Sequence, residues 1–121
     1  MDLAPVRARL KGLARVLPLP LPFRPLTPEE EADWGRRLAP ASGLLVRPGY
    51  ITRNLLGRMP RLKVVAVHGA GVDQVDVEAC TERGVWVTNA PGANANAVAE
   101  LTLGLMLSLL RGIPGAAARV R

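Results

Sequence analysis

The sequence predicts an α/β fold in which strands and helices alternate around a mostly parallel sheet. Three short runs rich in Val, Leu and other apolar residues, at 43–47, 63–68 and 85–88, have the length and composition of strands. Helical patterns separate these runs, and parallel strands need such crossovers, which are almost always right-handed. The chain has 121 residues, which is enough for one hydrophobic core and one domain.

The composition narrows the possible chemistry. Hydrophobic residues make up 49%, charged residues 21%, and the net charge is +6. The arginines are scattered and no aromatic residues interleave them, so we expect a general attraction for anions and no nucleic-acid surface. Cys80 and His68 are the only cysteine and histidine, which excludes an internal disulfide and multi-Cys or multi-His metal sites. A reducing, cytoplasmic compartment fits this cysteine usage.

The first part of the chain combines a helical pattern with a proline-rich stretch. Apolar residues recur at helical spacing and predict an amphipathic helix from Pro5 to Val16. In the stretch 17–23 proline occupies alternate positions and removes backbone donors, which predicts an edge strand or a polyproline-like segment. Thr27 and Pro28 then mark the start of a helix that we expect to run to about Leu38.

A short helix lies between the first two predicted strands. Thr52 is expected to cap it, Pro60 to end it, and Leu55, Leu56 and Met59 to form its inner face. The strand 63–68 that follows is apolar without interruption, which predicts burial on both faces.

The predicted elements continue with a helix from Asp76 to Arg83, closed by Gly84, and the strand 85–88. In that helix Cys80 is expected to be a buried, inert thiol. A last helix begins near Asn94 or Asn96 and continues to about Arg111. It is apolar nearly all round and too short to span a bilayer, so we expect it to be buried against a partner surface.

The segment Gly69-Ala70-Gly71 follows a strand and precedes a helix, as a dinucleotide fingerprint does. Gln74 stands where that fingerprint needs its third glycine, so pyrophosphate binding is not expected. The two glycines still let the backbone approach a ligand, and the helix behind the turn offers N–H groups for a carboxylate. A tight turn without a ligand is the alternative, and the spacing alone slightly favours that alternative.

Four segments together resemble a known family: 44–47, 62–73, 87–94 and 98–102. In order and spacing they are similar to the D-isomer-specific 2-hydroxyacid dehydrogenases, and most to the phosphoglycerate dehydrogenase and hydroxypyruvate reductase branch. The resemblance covers about residues 27–114. It implies a flavodoxin-like substrate domain, with helices on both faces of a parallel sheet, that is paired with an NAD-binding domain.

The resemblance also implies a site for a small anionic 2-hydroxy or 2-oxo acid. The backbone N–H groups of Ala70, Gly71 and Val72 would bind the substrate carboxylate, Arg47 would hold anionic groups, and Asn94 would lie at the cleft. Alternatively, Arg47 is a surface residue at a strand end. Asn94 is also suited to capping the last helix, which is compatible with a binding role.

The family's catalytic arginine, glutamate and histidine lie beyond Arg121, so no catalytic residue and no NAD binding are expected in this chain alone. His68 does not match the family's acid–base position and is expected to be a strand-end residue without a catalytic role. The family's first strand, which precedes the first helix, is also expected to be missing.

These expectations divide the chain into a partial substrate-binding domain at 1–93 and an interdomain or dimerisation helix at 94–121, leading to an NAD-binding domain outside the chain. The preferred hypothesis is a substrate-domain fragment that is inactive alone. The alternative is a non-catalytic interaction module, or half of a split enzyme, that associates through its last helix. A homodimer or a nucleotide-binding partner is expected, and no membrane.

Overall fold

The computed structural model describes residues 4–47 and 49–120 and confirms an α/β fold on a parallel sheet. Three strands form this sheet in the order β1-β2-β3, so β2 is the central strand. The elements in chain order are α1 (Ala4–Arg9), α2 (Pro28–Leu38), β1 (Gly43–Val46), α3 (Arg53–Gly57), β2 (Val64–Val67), α4 (Val77–Glu82), β3 (Trp86–Thr88), α5 (Ala95–Leu110) and α6 (Ile113–Val120).

The register of the sheet aligns the ends of its strands. Val46 of β1 pairs with Val67 of β2, and Ala66 of β2 pairs with Thr88 of β3, all in parallel. The carboxyl ends of the three strands therefore lie at one edge of the sheet, which is where open parallel sheets bind ligands.

The hydrophobic core lies against one face of the sheet. Val65 and Val67 of β2 are buried there together with Leu55 and Leu56 of α3 and Cys80 of α4. The predicted inner face of α3 is confirmed, because Leu55, Leu56 and the nearby Met59 have no exposed surface. Burial of these apolar side chains is the main force that holds α3 and α4 to the sheet.

The opposite face of the sheet is covered less. Alternate residues of a strand point to opposite faces, so Val64 and Ala66 lie on this second face, where they are half-buried. Leu45 of β1 and Trp86 of β3 share that face and are 43% and 76% exposed. No helix within 4–47 and 49–120 packs against it. The expectation that β2 is buried on both faces is therefore wrong for this side.

The amino-terminal prediction was too long. Helix α1 ends at Arg9 and not at Val16, because Gly12 adopts the left-handed conformation, with a φ of 80°, that commonly ends a helix. The proline-rich stretch 17–23 forms no strand. Its Leu19 and Leu21 nevertheless pack against the buried core, which explains why they are apolar.

Helix α2 begins where the sequence predicts. Thr27 accepts a hydrogen bond from the Glu30 N–H, and the Glu30 carboxylate accepts one in return from the Thr27 N–H. Hydrogen bonds from Arg24, at 2.7 Å, and from Thr27 lower the pKa of Glu30 from 4.5 to about 2. This ion pair therefore stabilises the fold above about pH 4.5, and the contribution is lost as the pH falls towards 2.

The carboxyl-terminal region differs from the rest of the fold. Helix α5 has sixteen residues and none of them is buried, and it is followed by α6, which the sequence analysis did not predict. Among the described residues, no single helix is long and apolar enough to cross a membrane. Helices α5 and α6 meet that length and composition only as a pair, across a 63° bend.

Thr52 joins α2 to α3 through its hydroxyl group. The hydroxyl accepts a hydrogen bond from the Leu55 N–H at 3.1 Å, which caps α3 as predicted. It also donates to the carboxylate of Glu31, which is only 7% exposed. Without this donor, the buried carboxylate would lose a bond that offsets its desolvation.

The first prediction tests this junction. We expect Thr52→Val, which keeps the shape of the side chain, to lower the free energy of unfolding by about 2–4 kcal/mol, since it removes a helix cap and the donor to a buried carboxylate. Thr52→Ser keeps the hydroxyl and should stay close to wild type. Chemical denaturation measures both variants, and equal losses in the two would contradict the role assigned to the hydroxyl.

Candidate functional site

The predicted binding residues lie at the carboxyl edge of the sheet. Arg47 follows β1, the segment 68–72 follows β2, and the segment 89–94 follows β3. The His68 N–H donates to the Val46 carbonyl at 2.7 Å, which extends the pairing of β1 and β2 by one step. Arg47 therefore lies beside the start of the glycine turn, a name used here for residues 69–72.

The glycine turn presents a row of free backbone donors. Among the residues that the structure describes, none accepts a hydrogen bond from the N–H of Ala70, Gly71 or Val72. Ala70 and Gly71 are exposed, while the Val72 side chain packs against the core and anchors the turn. Successive N–H groups without a protein acceptor form a favourable site for an anion.

Neither the backbone angle nor the available space strictly requires glycine at position 71, because the nearest atom is the end of the exposed, flexible Asp73 side chain. The φ of Gly71 is not among the positive values in this chain, and a Cβ at this position would lie 2.7 Å from Oδ2 of Asp73. The same closeness places a carboxylate beside the turn. Asp73 therefore opposes the binding of an anion there, and the N–H groups and Arg47 act against that repulsion.

Asn89 and Ala90, the two residues directly after β3, hold the glycine turn in place. The Ala90 N–H donates to the Gly69 carbonyl at 2.9 Å, and Nδ2 of Asn89 donates to the Ala70 carbonyl at 2.6 Å. Asn89 was not among the predicted site residues. Its signals in the sequence were its place at the end of a strand, before Pro91-Gly92, and its position in the segment 87–94 that carries the family resemblance.

Arg47 and Asn94 are both exposed, and both have unused polar groups. No residue within the described ranges pairs with the Arg47 guanidinium, which leaves it available to an anion. Asn94 occupies the N-cap position of α5, as predicted, but its side chain makes no capping bond. No hydrogen bond joins Asn94 to the described atoms of the glycine turn.

The helix behind the turn does not offer a free positive end. Oδ1 of Asp76 accepts a hydrogen bond from the Ala79 N–H at 2.8 Å and caps α4. Arg53 pairs with Asp76 and also with Glu78 and Glu82. The expectation that the N–H groups of this helix would help bind a carboxylate is therefore corrected, because a carboxylate of the protein already lies there.

The turn departs from a dinucleotide fingerprint. Gln74 replaces the third glycine, and its carbonyl accepts a hydrogen bond from the Ile51 N–H at 2.8 Å, which fixes the backbone there. Asp73 and Asp76 add negative charge on this side of the turn. An open cleft of about 400 Å³ lies next to these two aspartates, and it is lined by neither Arg47 nor the glycine turn.

Two further residues lie where the sequence predicts. Cys80 has no exposed surface, and burial, with a smaller effect of Asp76, raises the pKa of its thiol. A buried thiol that resists ionisation is a poor nucleophile, which supports the inert interpretation. His68 is exposed at the end of β2, as expected, and its imidazole has no partner among the described side chains.

Comparisons with known proteins agree with this architecture. A family model described as D-isomer specific 2-hydroxyacid dehydrogenase, catalytic domain, matches residues 22–118. The D-3-phosphoglycerate dehydrogenase of Methanocaldococcus jannaschii is 45% identical over 97 residues, which are 79% of this chain and 18% of that protein. The human D-3-phosphoglycerate dehydrogenase is 40% identical over 85 residues, or 69% of this chain and 16% of that protein.

Two solved structures show the same fold. The TT0316 protein from Thermus thermophilus has a TM-score of 0.74 and 34% identity, over 98% of this chain and 37% of that one. The NAD⁺-bound 3-phosphoglycerate dehydrogenase of Entamoeba histolytica has a TM-score of 0.57 and 37% identity, over 63% of this chain and 25% of that one. The chain thus spans 18% or less of the curated relatives described above.

Proposed function

The chain belongs to the D-isomer specific 2-hydroxyacid dehydrogenase family, and from this premise we propose that its glycine turn binds the carboxylate of a small 2-hydroxy or 2-oxo acid. The observation that carries the proposal is the row of unpaired N–H groups at Ala70, Gly71 and Val72. Backbone N–H groups suit a carboxylate because each donates a hydrogen bond in a fixed direction. Together they bind the negative charge without requiring a positively charged side chain.

Arg47 adds a second point of attachment. Its free guanidinium follows the strand next to the glycine turn, and a guanidinium binds phosphate or carboxylate with two parallel hydrogen bonds. The curated relatives described above are named D-3-phosphoglycerate dehydrogenase. The phosphoglycerate in that name carries a phosphate as well as a carboxylate. We therefore favour a phosphorylated hydroxy acid over an unphosphorylated one.

The activity that we propose for the whole protein is an oxidoreductase reaction with a nicotinamide cofactor. One similar solved structure is that of D-lactate dehydrogenase from Aquifex aeolicus in complex with NAD and lactic acid. A nicotinamide supplies or accepts the hydride in such a reaction. The residues of this chain would bind and orient the acid, with the amide of Asn94 available to its 2-oxygen.

The second prediction concerns ligand binding at the turn. In ¹H–¹⁵N spectra, D-glycerate should shift the amide signals of Ala70, Gly71 and Val72, and D-glyceramide, which lacks the carboxylate charge, should not. D-3-Phosphoglycerate should bind more tightly than D-glycerate. Arg47→Ala should weaken its binding by about tenfold, the value of a lost charge-assisted hydrogen bond.

Arg61→Ala is the matched control, because Arg61 is an exposed arginine that precedes β2 and so lies towards the opposite edge of the sheet. It should leave the affinity unchanged. Amide shifts that are confined to other parts of the chain would overturn the assignment of the site. Equal losses of affinity in Arg47→Ala and Arg61→Ala would show that Arg47 contributes only through the net charge of the protein.

The third prediction concerns turnover. We propose that these 121 residues do not catalyse the reaction alone, because the turn lacks the third glycine of a dinucleotide fingerprint and no described carboxylate pairs with the imidazole of His68. NADH absorbance should stay constant when the purified chain is mixed with hydroxypyruvate, glyoxylate or phosphohydroxypyruvate. Turnover that follows the chain through purification and is lost in His68→Ala would contradict this proposal.

A second candidate function is a non-catalytic interaction module or half of a split enzyme, and helix α5 is the observation in its favour. Its apolar side chains are exposed, for example Leu101 at 63% and Leu109 at 80%. A continuous apolar surface of this kind usually marks a protein interface. We propose that α5 associates with a second copy of the chain, and a nucleotide-binding partner is the competing outcome.

The fourth prediction tests that association. Sedimentation should show a dimer, and the double variant Leu101→Glu with Leu105→Glu should raise its dissociation constant at least about tenfold, because two unpaired charges would be buried. Leu13→Glu changes an equally apolar residue that is 82% exposed and lies far from α5 in sequence, and it should have no effect. If the wild-type chain is a monomer at all concentrations, the proposed homodimer is wrong and a nucleotide-binding partner is favoured.

A further inference from the structure

We propose that Asn89 is a positioning residue that aims the Gly71 N–H at the substrate carboxylate. This inference rests on the proposed function of the glycine turn. Asn89 does not need to touch the ligand for this role. It acts through the peptide bond between Ala70 and Gly71, whose carbonyl accepts a hydrogen bond from Nδ2 of Asn89 at 2.6 Å.

The geometry of the peptide bond makes this coupling rigid. A trans peptide is planar, so the carbonyl of one residue and the N–H of the next point in opposite directions. The described part of the chain contains no cis peptide. When Asn89 draws the Ala70 carbonyl towards the segment after β3, it therefore turns the Gly71 N–H away from that segment.

The preceding peptide is held in the same sense. The Gly69 carbonyl accepts a hydrogen bond from the Ala90 N–H at 2.9 Å, so the N–H of Ala70 also points away from the 89–90 segment. The N–H groups of Ala70 and Gly71 thus both point away from the segment that follows β3. The Ala70 N–H is oriented through a main-chain hydrogen bond that almost any residue at position 90 can make. The orientation of the Gly71 N–H depends on the Asn89 side chain.

Asparagine suits this position for an electrostatic reason. Its amide donates to the carbonyl without bringing a charge to an anion site, whereas an aspartate would repel both the Ala70 carbonyl and the ligand. A hydrogen bond to a carbonyl also polarises the peptide and strengthens its N–H as a donor. This matters here because the carboxylate of Asp73 lies close to Gly71 and opposes anion binding.

The fifth prediction compares the free and the bound protein in Asn89→Ala and Asn89→Asp. In the free protein, the amide ¹⁵N signal of Gly71 should move in both variants, because its peptide loses a hydrogen bond, while the signal of Ala70 should move less. The dissociation constant for D-glycerate, read from the same amides, should rise by about tenfold in Asn89→Ala and further in Asn89→Asp.

Asn96→Asp is the control for charge, since Asn96 is an exposed asparagine at the start of α5. It should change neither the Gly71 signal nor the affinity by a comparable amount. Asn89→Ser supplies a shorter donor and should recover part of the affinity. It also serves as the test variant if Asn89→Ala does not fold, and thermal unfolding of each variant separates loss of binding from loss of structure.

The outcomes separate this inference from the proposed function. If wild type binds D-glycerate at the glycine turn and Asn89→Ala binds it equally well, the role of Asn89 is overturned and the site stands. If wild type shows no shift at Ala70, Gly71 and Val72, the proposed function fails and the positioning role fails with it. A specific loss of affinity with an unchanged melting temperature supports both.

Discussion

The parallel register of β2 between β1 and β3 is the constraint on which the rest of the structure depends. It places Val65 and Val67 on the face that meets α3 and α4, and it brings the ends of the three strands to one edge. A slip by one residue would turn the buried side chains to the exposed face. The same slip would move Arg47 and Asn89 relative to the glycine turn, so the core and the candidate site depend on one set of pairings.

The packing of the domain is one-sided. The core residues around Val65 are buried. On the other face of the sheet Leu45 and Trp86 are exposed, and so are nearly all apolar side chains of α5. These surfaces would each gain free energy from burial, roughly 25 cal/mol for every Å² of apolar area removed from water. They account for an association module as a second candidate function, and they are consistent with a chain that spans 18% of a related dehydrogenase.

The candidate site is built mainly from backbone groups. Ala70, Gly71 and Val72 contribute N–H donors, and the only positive side chain assigned to the site is Arg47. Such a site suits a carboxylate, which needs few directed hydrogen bonds. It lacks the third glycine of a dinucleotide fingerprint, because Gln74 stands at that position.

The sequence by itself determined the features that rest on local chemistry. The caps at Thr27 and Thr52, the three strands and the strand–turn–helix at Gly69 follow from residues a few positions apart, and the order of such motifs was sufficient to identify the family. Only the tertiary structure showed that Asn89 bonds to Ala70, nineteen residues earlier, and that no described helix covers Trp86. Those features depend on which elements pack together, and hydrophobic periodicity identifies an apolar face without identifying its partner.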